Sequence, residues 1–219
     1  MNWEYCVSDL NVWQDIFETK ARALYPSTDP SHDFLHIRRV VATALELARE
    51  ERADVMVVLP AAYLHDFIAI PKNDPRSRQA SALSAEASAQ YLLDAGYPAR
   101  YLDAIRHAIA AHSFSAGIPC ETIEAKVVQD ADRLDSLGAI GIARCFTTSA
   151  LMGRPFYNEN DFLAERRALD DKNYAVDHFF VKLFKVAETL QSQSARVEGA
   201  KRVAFMKDYL NELRSEVMP

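Results

Sequence analysis

The chain has 219 residues, of which 49% are hydrophobic and 26% are charged, and this is the profile of an ordinary globular protein. Its net charge of −6 leaves no overall positive field to attract a nucleic acid polymer or an anionic membrane. The 3 cysteines are far apart and include no C-x-x-C pair, so neither a disulfide framework nor a thiolate zinc site fits. The N-terminus lacks a signal pattern, and no apolar run approaches the roughly 20 residues that cross a bilayer. We therefore expect a cytoplasmic protein.

The sequence predicts helices throughout, because it has only 6 glycines and no strand-like alternation of apolar and polar residues. Proline, aspartate and glycine punctuation predicts helices over about 30–52, 53–70 (with Pro60 as a kink or a junction), 77–95, 98–111, 122–137, a short one ending near 152, 161–169, 173–191 and 195–215. We expect one all-α domain over 1–219. Its core would occupy about 25–150, followed by a C-terminal helical extension at about 155–216.

A polar pair, His65-Asp66, stands at the end of the most apolar predicted helix. If that helix is buried, an aspartate without a compensating charge costs several kcal/mol. A divalent metal would satisfy both side chains, since imidazole and carboxylate are common ligands of such ions. The alternative is a histidine over the last helix carbonyls and an aspartate turned to solvent.

His36 indicates a larger site. It recurs at helical spacing with the apolar residues Val40, Ala44 and Leu47, and His32 shares its face one turn earlier. A lone core histidine more often bonds to backbone than to metal. Two inward histidines on separate helices, with a carboxylate beside one of them, favour a metal site.

A third candidate segment, 129–135, carries acidic residues within an otherwise apolar helix. Asp132 follows Val128 by one turn and shares part of its face, whereas Asp130 lies about 160° around the helix from Val128. Only one of the two carboxylates can therefore point to a given site. The alternative is a solvated helix face on which these aspartates pair with Arg133.

The order His36, then His65-Asp66, then Asp132 resembles the H…HD…D motif of the HD-domain superfamily of metal-dependent phosphohydrolases. Within it, the chain is similar to the small bacterial YedJ-type branch, over the segments 31–40, 61–67, 110–115, 128–134 and 169–179. The resemblance implies an HD-type helical bundle. It also implies that His36, His65, Asp66 and Asp132 bind a divalent ion, with Asp132 preferred to Asp130 because it precedes an Arg-Leu pair. The ligand set accepts Mn, Mg, Fe, Co or Zn.

The same resemblance implies roles in catalysis. Asp66 would also orient or deprotonate the attacking water, and His112 would contact a phosphate or donate a proton. His107 fits better as a packed or supporting histidine, although some HD proteins bind two metals through extra histidines. Three cations are candidates for binding the substrate's phosphates, and each could equally be a solvated surface charge: Arg39, Lys72 and Arg133.

The function implied is metal-dependent hydrolysis of a phosphomonoester or a phosphoanhydride in a small phosphorylated metabolite such as a nucleotide. One alternative is a nucleotide-binding or signalling module without turnover. Another is a di-iron oxygenase on the same scaffold, for which the pair of His107 and His112 is the only hint. Neither triad hydrolysis nor hydride transfer has support, because the sequence has no G-x-S-x-G and no G-x-G-x-x-G motif.

Overall fold

The structure is a computed structural model that describes residues 4–25, 33–70 and 74–217, and every regular element in these ranges is a helix. The all-α prediction is therefore confirmed. The helices are α1 Glu4–Leu24, α2 Phe34–Glu51, α3 Val55–Leu64, α4 Ala80–Asp94, α5 Leu102–His112, α6 Ile123–Leu134, α7 Gly138–Leu151, α8 Ala175–His178, α9 Phe184–Glu188 and α10 Gln193–Val217. A π-helical turn, Phe179–Leu183, joins α8 to α9. None of the helices described is both long enough and apolar enough to span a membrane.

The chain divides into two compact units, Met1–Asp132 and Arg133–Pro219. The first unit contains α1 to α5 and most of α6, and the second contains the remaining helices. The prediction of one domain over 1–219 stays a prediction.

In the first unit, α2 begins where the sequence supplies a cap. The Asp33 carboxylate accepts a hydrogen bond from the backbone N–H of His36 at 2.9 Å, which satisfies one of the unpaired N–H groups of the first turn. The first residues of the helix predicted over about 30–52 lie outside the described residues. The helix ends before Arg52, whose left-handed backbone (φ 58°) returns its N–H to the carbonyl of Ala48.

Helix α3 is buried from Met56 to Leu64 and continues through Pro60 without a break. A proline inside a helix cannot donate to the carbonyl four residues earlier, which here belongs to Met56. The hydroxyl of Tyr97 donates to that carbonyl instead, at 2.6 Å. The structure thus replaces the missing backbone bond with a side chain, and Pro60 lies inside one helix rather than at a junction of two.

In the second unit, the prediction of a helix over 161–169 is wrong. The carboxylate of Asp161 accepts the backbone N–H groups of Glu165, Arg166 and Arg167 at 2.8–3.0 Å, and Ala164 has a positive φ of 53°. An aspartate that bonds to nearby backbone N–H groups competes with the helical ladder, and here it holds an irregular loop. Helix α1 was not among the predicted elements.

Candidate metal centre

The end of α3 determines how His65 is oriented. The last carbonyls of a helix need donors from elsewhere, and three side chains supply them. The Tyr25 hydroxyl lies 3.5 Å from the Tyr63 carbonyl, the Ser88 hydroxyl donates to Leu64 at 3.3 Å, and Nδ1 of His65 donates to Ala62 at 2.9 Å. Because a carbonyl oxygen only accepts, the Nδ1 atom of His65 carries the proton and Nε2 presents a lone pair.

The Nε2 atom of His65 is buried and has no hydrogen-bond partner. Its carboxylate neighbours are Oδ2 of Asp66 at 3.6 Å and Oδ1 of Asp132 at 4.0 Å. The same Oδ1 atom of Asp132 lies 3.5 Å from Nε2 of His36. One ligand atom each from His36, His65 and Asp66 also lie within 4.8 Å of one another. The structure thus brings together the four residues that the sequence nominated as metal ligands.

These separations fit a shared divalent ion. Ligand bonds of about 2.0–2.2 Å set ligand-to-ligand distances of roughly 2.8–4.4 Å around one ion. The contacts of Asp132 with His36 and His65, at 3.5 and 4.0 Å, fall in that interval and exceed the usual length of an N–H to oxygen hydrogen bond. A buried lone pair on Nε2 of His65 is costly unless an electron-pair acceptor lies beside it. This His/Asp cluster could therefore hold a metal ion.

The protonation states agree with a ligand role. Burial lowers the pKa of His65 and outweighs the neighbouring carboxylates, so its imidazole is neutral, as metal binding requires. Burial by itself would raise the pKa of Asp66, but its electrostatic interactions with the imidazoles of His65 and His112 hold that pKa well below its usual range. The carboxylate of Asp66 is thus ionised near neutral pH.

His112, at the end of α5, is oriented in the same way as His65. Its Nδ1 donates to the carbonyl of Ile109 at 2.7 Å, and its Nε2 lies 3.4 Å from Oδ1 of Asp66. Burial opposes protonation of His112, but the bond with Asp66 raises its pKa overall. The structure therefore brings this histidine to the edge of the cluster.

His107 is used differently. Its Nε2 accepts a hydrogen bond from the backbone N–H of Glu121 at 3.1 Å. Among the described residues, no hydrogen bond or ion pair joins His107 to the cluster. His107 and His112 thus contact different groups. The geometry does not support the alternative in which these two histidines bind a second metal.

The two candidate aspartates of α6 are separated as the helical spacing predicts. Asp130 is completely buried, whereas the side chain of Asp132 is 33% exposed and faces the histidines. An aspartate on each of two different faces of one helix cannot serve the same site. The geometry favours Asp132 as the fourth ligand.

The three predicted phosphate-binding cations differ in where the structure places them. Lys72 and the further histidine His32 lie outside the described residues. Arg39 is half-buried on α2, one turn after His36. Arg133, in the second unit, donates to the carbonyl of Thr189 at 2.6 Å, so part of its guanidinium serves the packing of that unit. The substrate-binding roles of these residues stay predictions.

Sequence reasoning missed the residues that support the cluster. Tyr25, which directly follows α1, and Ser88 of α4 contact carbonyls of α3 from distant parts of the chain. Neither residue belongs to a motif, and no local pattern could have found them.

Comparison with known proteins identifies the family of this chain. The family model for the HD domain matches residues 33–137. YpgQ of Bacillus subtilis (strain 168) is 30% identical over 204 residues, which cover 91% of each chain. The crystal structure of B. subtilis YpgQ in complex with ADP has a TM-score of 0.72 and 32% identity, and the match covers 94% of this chain and 98% of that one. An HD-superfamily hydrolase from Bacillus thuringiensis has a TM-score of 0.73 and 26% identity, with 94% and 97% covered. The chain belongs to the HD-domain family.

Proposed function

We propose that this protein is a divalent-metal-dependent phosphohydrolase that cleaves a phosphomonoester or a phosphoanhydride of a small phosphorylated metabolite, with a nucleotide as the favoured substrate. The observation that carries the proposal is the buried, unpartnered Nε2 atom of His65 between two carboxylates. Such an arrangement is costly for a purely structural site.

In this proposal, His36, His65, Asp66 and Asp132 hold one ion, whose identity among Mn, Mg, Fe, Co and Zn is open. When bound, such an ion supplies an acidified water and neutralises charge on the phosphoryl group. The protein's own groups complete the site. Asp66, ionised and partly exposed, orients that water.

His112 is suited to act on the leaving group. Its Nδ1 is fixed to the carbonyl of Ile109, so its Nε2 is the atom that carries a proton towards the cluster. The contact of 3.4 Å with Oδ1 of Asp66 keeps the ring in this direction. A proton donated from Nε2 would neutralise the departing oxygen.

The substrate class draws support from the bound ADP in the similar YpgQ structure. A metal centre also explains how a protein with a net charge of −6 could hold an anionic substrate. We assign the phosphate contacts to Arg39, Lys72 and Arg133. The ADP complex equally supports a second candidate, a nucleotide-binding module without turnover.

The test combines metal loading with hydrolysis. Protein stripped of metal would be loaded with each ion in turn and supplied with a panel of nucleotides. Phosphate and pyrophosphate release would be measured beside the metal content. We expect release that disappears in His65→Ala and Asp66→Asn and persists in Asp208→Asn, a matched change at an exposed carboxylate.

Two results would contradict the proposal. Loaded protein that releases neither product with any ion is not a hydrolase of these nucleotides, and tight nucleotide binding in the same sample would favour the binding module. Release that is equal in Asp66→Asn and Asp208→Asn would place the activity outside this cluster.

A further inference from the structure

A second cluster of polar side chains lies in the second unit, where the segment after α7 meets the start of α8. The backbone N–H groups of Ala175 and Val176 donate to the carbonyls of Pro155 and Phe156 at 3.1 and 2.9 Å. These two bonds hold Arg154, the residue before Pro155, beside the first turn of α8.

His178, at the end of α8, is oriented by a carboxylate. Its Nδ1 lies 3.0 Å from Oδ2 of Asp171, so the proton is on Nδ1 and the Nε2 atom can accept another. The side chains of His178 and Asp171 are 23% and 30% exposed. A small ligand in solution can therefore reach the pair.

The position of Asp171 is fixed by the loop that carries it. The backbone N–H of the preceding Asp170 donates to Oδ2 of Asp177 at 2.6 Å. Asp177 is completely buried and also accepts two guanidinium bonds from Arg167, at 2.5 and 2.8 Å. Consecutive loop residues are thus tied to consecutive helix residues. A long irregular segment held this firmly is typical of a functional loop.

Two positive charges lie near His178. Lys182 follows His178 by four residues along the continuous helical segment formed by α8 and the π-helical turn, so the two residues share a face of it. The backbone bonds of Pro155 and Phe156 bring Arg154 to the start of the same segment. Burial lowers the pKa of His178, and the charges of Lys182 and Arg154 lower it further. The same two charges act on Cys145 of α7, although burial raises the pKa of that thiol to about 11 and keeps it neutral. Arg154 is a half-buried residue, and its guanidinium makes no hydrogen bond or ion pair with the part of the chain that the structure describes.

We propose that Arg154, Lys182 and His178 bind a phosphate group, and that Asp171 positions His178 for this purpose. Arg154 and Lys182 supply the positive charge of this cluster, although the protein as a whole is acidic. His178 can also take up a proton on Nε2 while it keeps its bond to Asp171. The positive charge of the cluster can therefore rise when a dianion binds, and a phosphate group gives Arg154 the partner that it lacks.

The first test measures anion binding without metal. Inorganic phosphate and pyrophosphate would be titrated calorimetrically into the full chain kept metal-free with a chelator. We expect saturable binding that weakens at least about tenfold in Arg154→Ala and in Lys182→Ala, since each removes one charge-assisted contact. Lys185→Ala removes an exposed lysine of α9 and should change the affinity less than about twofold.

The second test addresses His178 and Asp171. Sulfate does not titrate near neutral pH, so proton uptake on sulfate binding, measured in buffers of different ionisation enthalpy, reports on the protein. We expect uptake in the wild type, none in His178→Gln, less in Asp171→Asn, and recovery in Asp171→Glu. A purely structural role for Asp171 would leave the uptake per bound anion unchanged.

The proposal is overturned if the wild type shows no saturable binding, if Lys185→Ala weakens it as much as Lys182→Ala, or if His178→Gln takes up protons normally. Because these titrations use metal-free protein, their failure leaves the proposed hydrolysis untouched. Conversely, a protein without hydrolase activity could still bind phosphate here.

Discussion

The bond between Tyr97 and the Met56 carbonyl gives a stringent test of how α3 accommodates Pro60. Removing the hydroxyl in Tyr97→Phe leaves this buried carbonyl without a donor, because Pro60 has no N–H to offer. An unsatisfied buried acceptor costs about 1–3 kcal/mol, so we expect the free energy of unfolding to fall by about 2 kcal/mol. Denaturant titration of the purified variants measures this loss.

A double-mutant cycle makes the physical cause explicit. Pro60→Ala restores a backbone N–H opposite the Met56 carbonyl, so in that background Tyr97→Phe should cost only about 0.5–1 kcal/mol. The expected coupling of about 1 kcal/mol exceeds the roughly 0.5 kcal/mol within which independent mutations add. Tyr91→Phe is a suitable control, because the hydroxyl of Tyr91 makes no hydrogen bond within the described ranges. If Tyr97→Phe costs the same in both backgrounds, the hydroxyl does not replace the missing helix bond and the reasoning is wrong.

Three further predictions concern the metal centre and the second unit. A fitting divalent ion at about 100 times its Kd should raise the free energy of unfolding by about 2.7 kcal/mol, and His65→Ala should abolish this increase in denaturant titrations. If His112 supplies a proton in the reaction, His112→Gln should lower kcat at least about 100-fold, whereas His107→Gln should stay within about twofold, and steady-state kinetics of the loaded protein separates the two. Asp177→Asn should destabilise the protein by about 3 kcal/mol, because it leaves the guanidinium of Arg167 without its charged partner, and a loss below about 1 kcal/mol would contradict this account of the loop.

Much of the candidate centre follows from local pattern. The apolar run before His65-Asp66 predicts that this pair stands where a buried helix ends, and α3 is buried up to Leu64. The 100° step of a helix separates Asp130 from Asp132, and their burial follows that separation. Both predictions succeed because they depend only on residues within one helix.

Predictions fail where a side chain takes over a backbone bond. The segment 161–169 has helical composition, yet the carboxylate of Asp161 accepts three backbone N–H groups there and the loop forms instead. Pro60 predicts a kink or a junction of two helices, yet α3 is one helix through Pro60 and the Tyr97 hydroxyl supplies the lost donor. When a side-chain hydrogen bond replaces a backbone one in this way, no periodic pattern in the sequence indicates it.

By itself, the sequence determined an all-helical chain and the residue types that could bind a metal. The tertiary structure decided which of these side chains lie close together and which hydrogen-bond partner each of them has. It distinguished His112, whose Nε2 reaches Asp66, from His107, whose Nε2 accepts from Glu121. It also brought Tyr25 and Ser88, which are far from α3 in the chain, to the carbonyls at the end of that helix. The physical reason is that helical periodicity fixes the direction of a side chain, whereas its hydrogen-bond partner depends on packing between residues far apart in the chain.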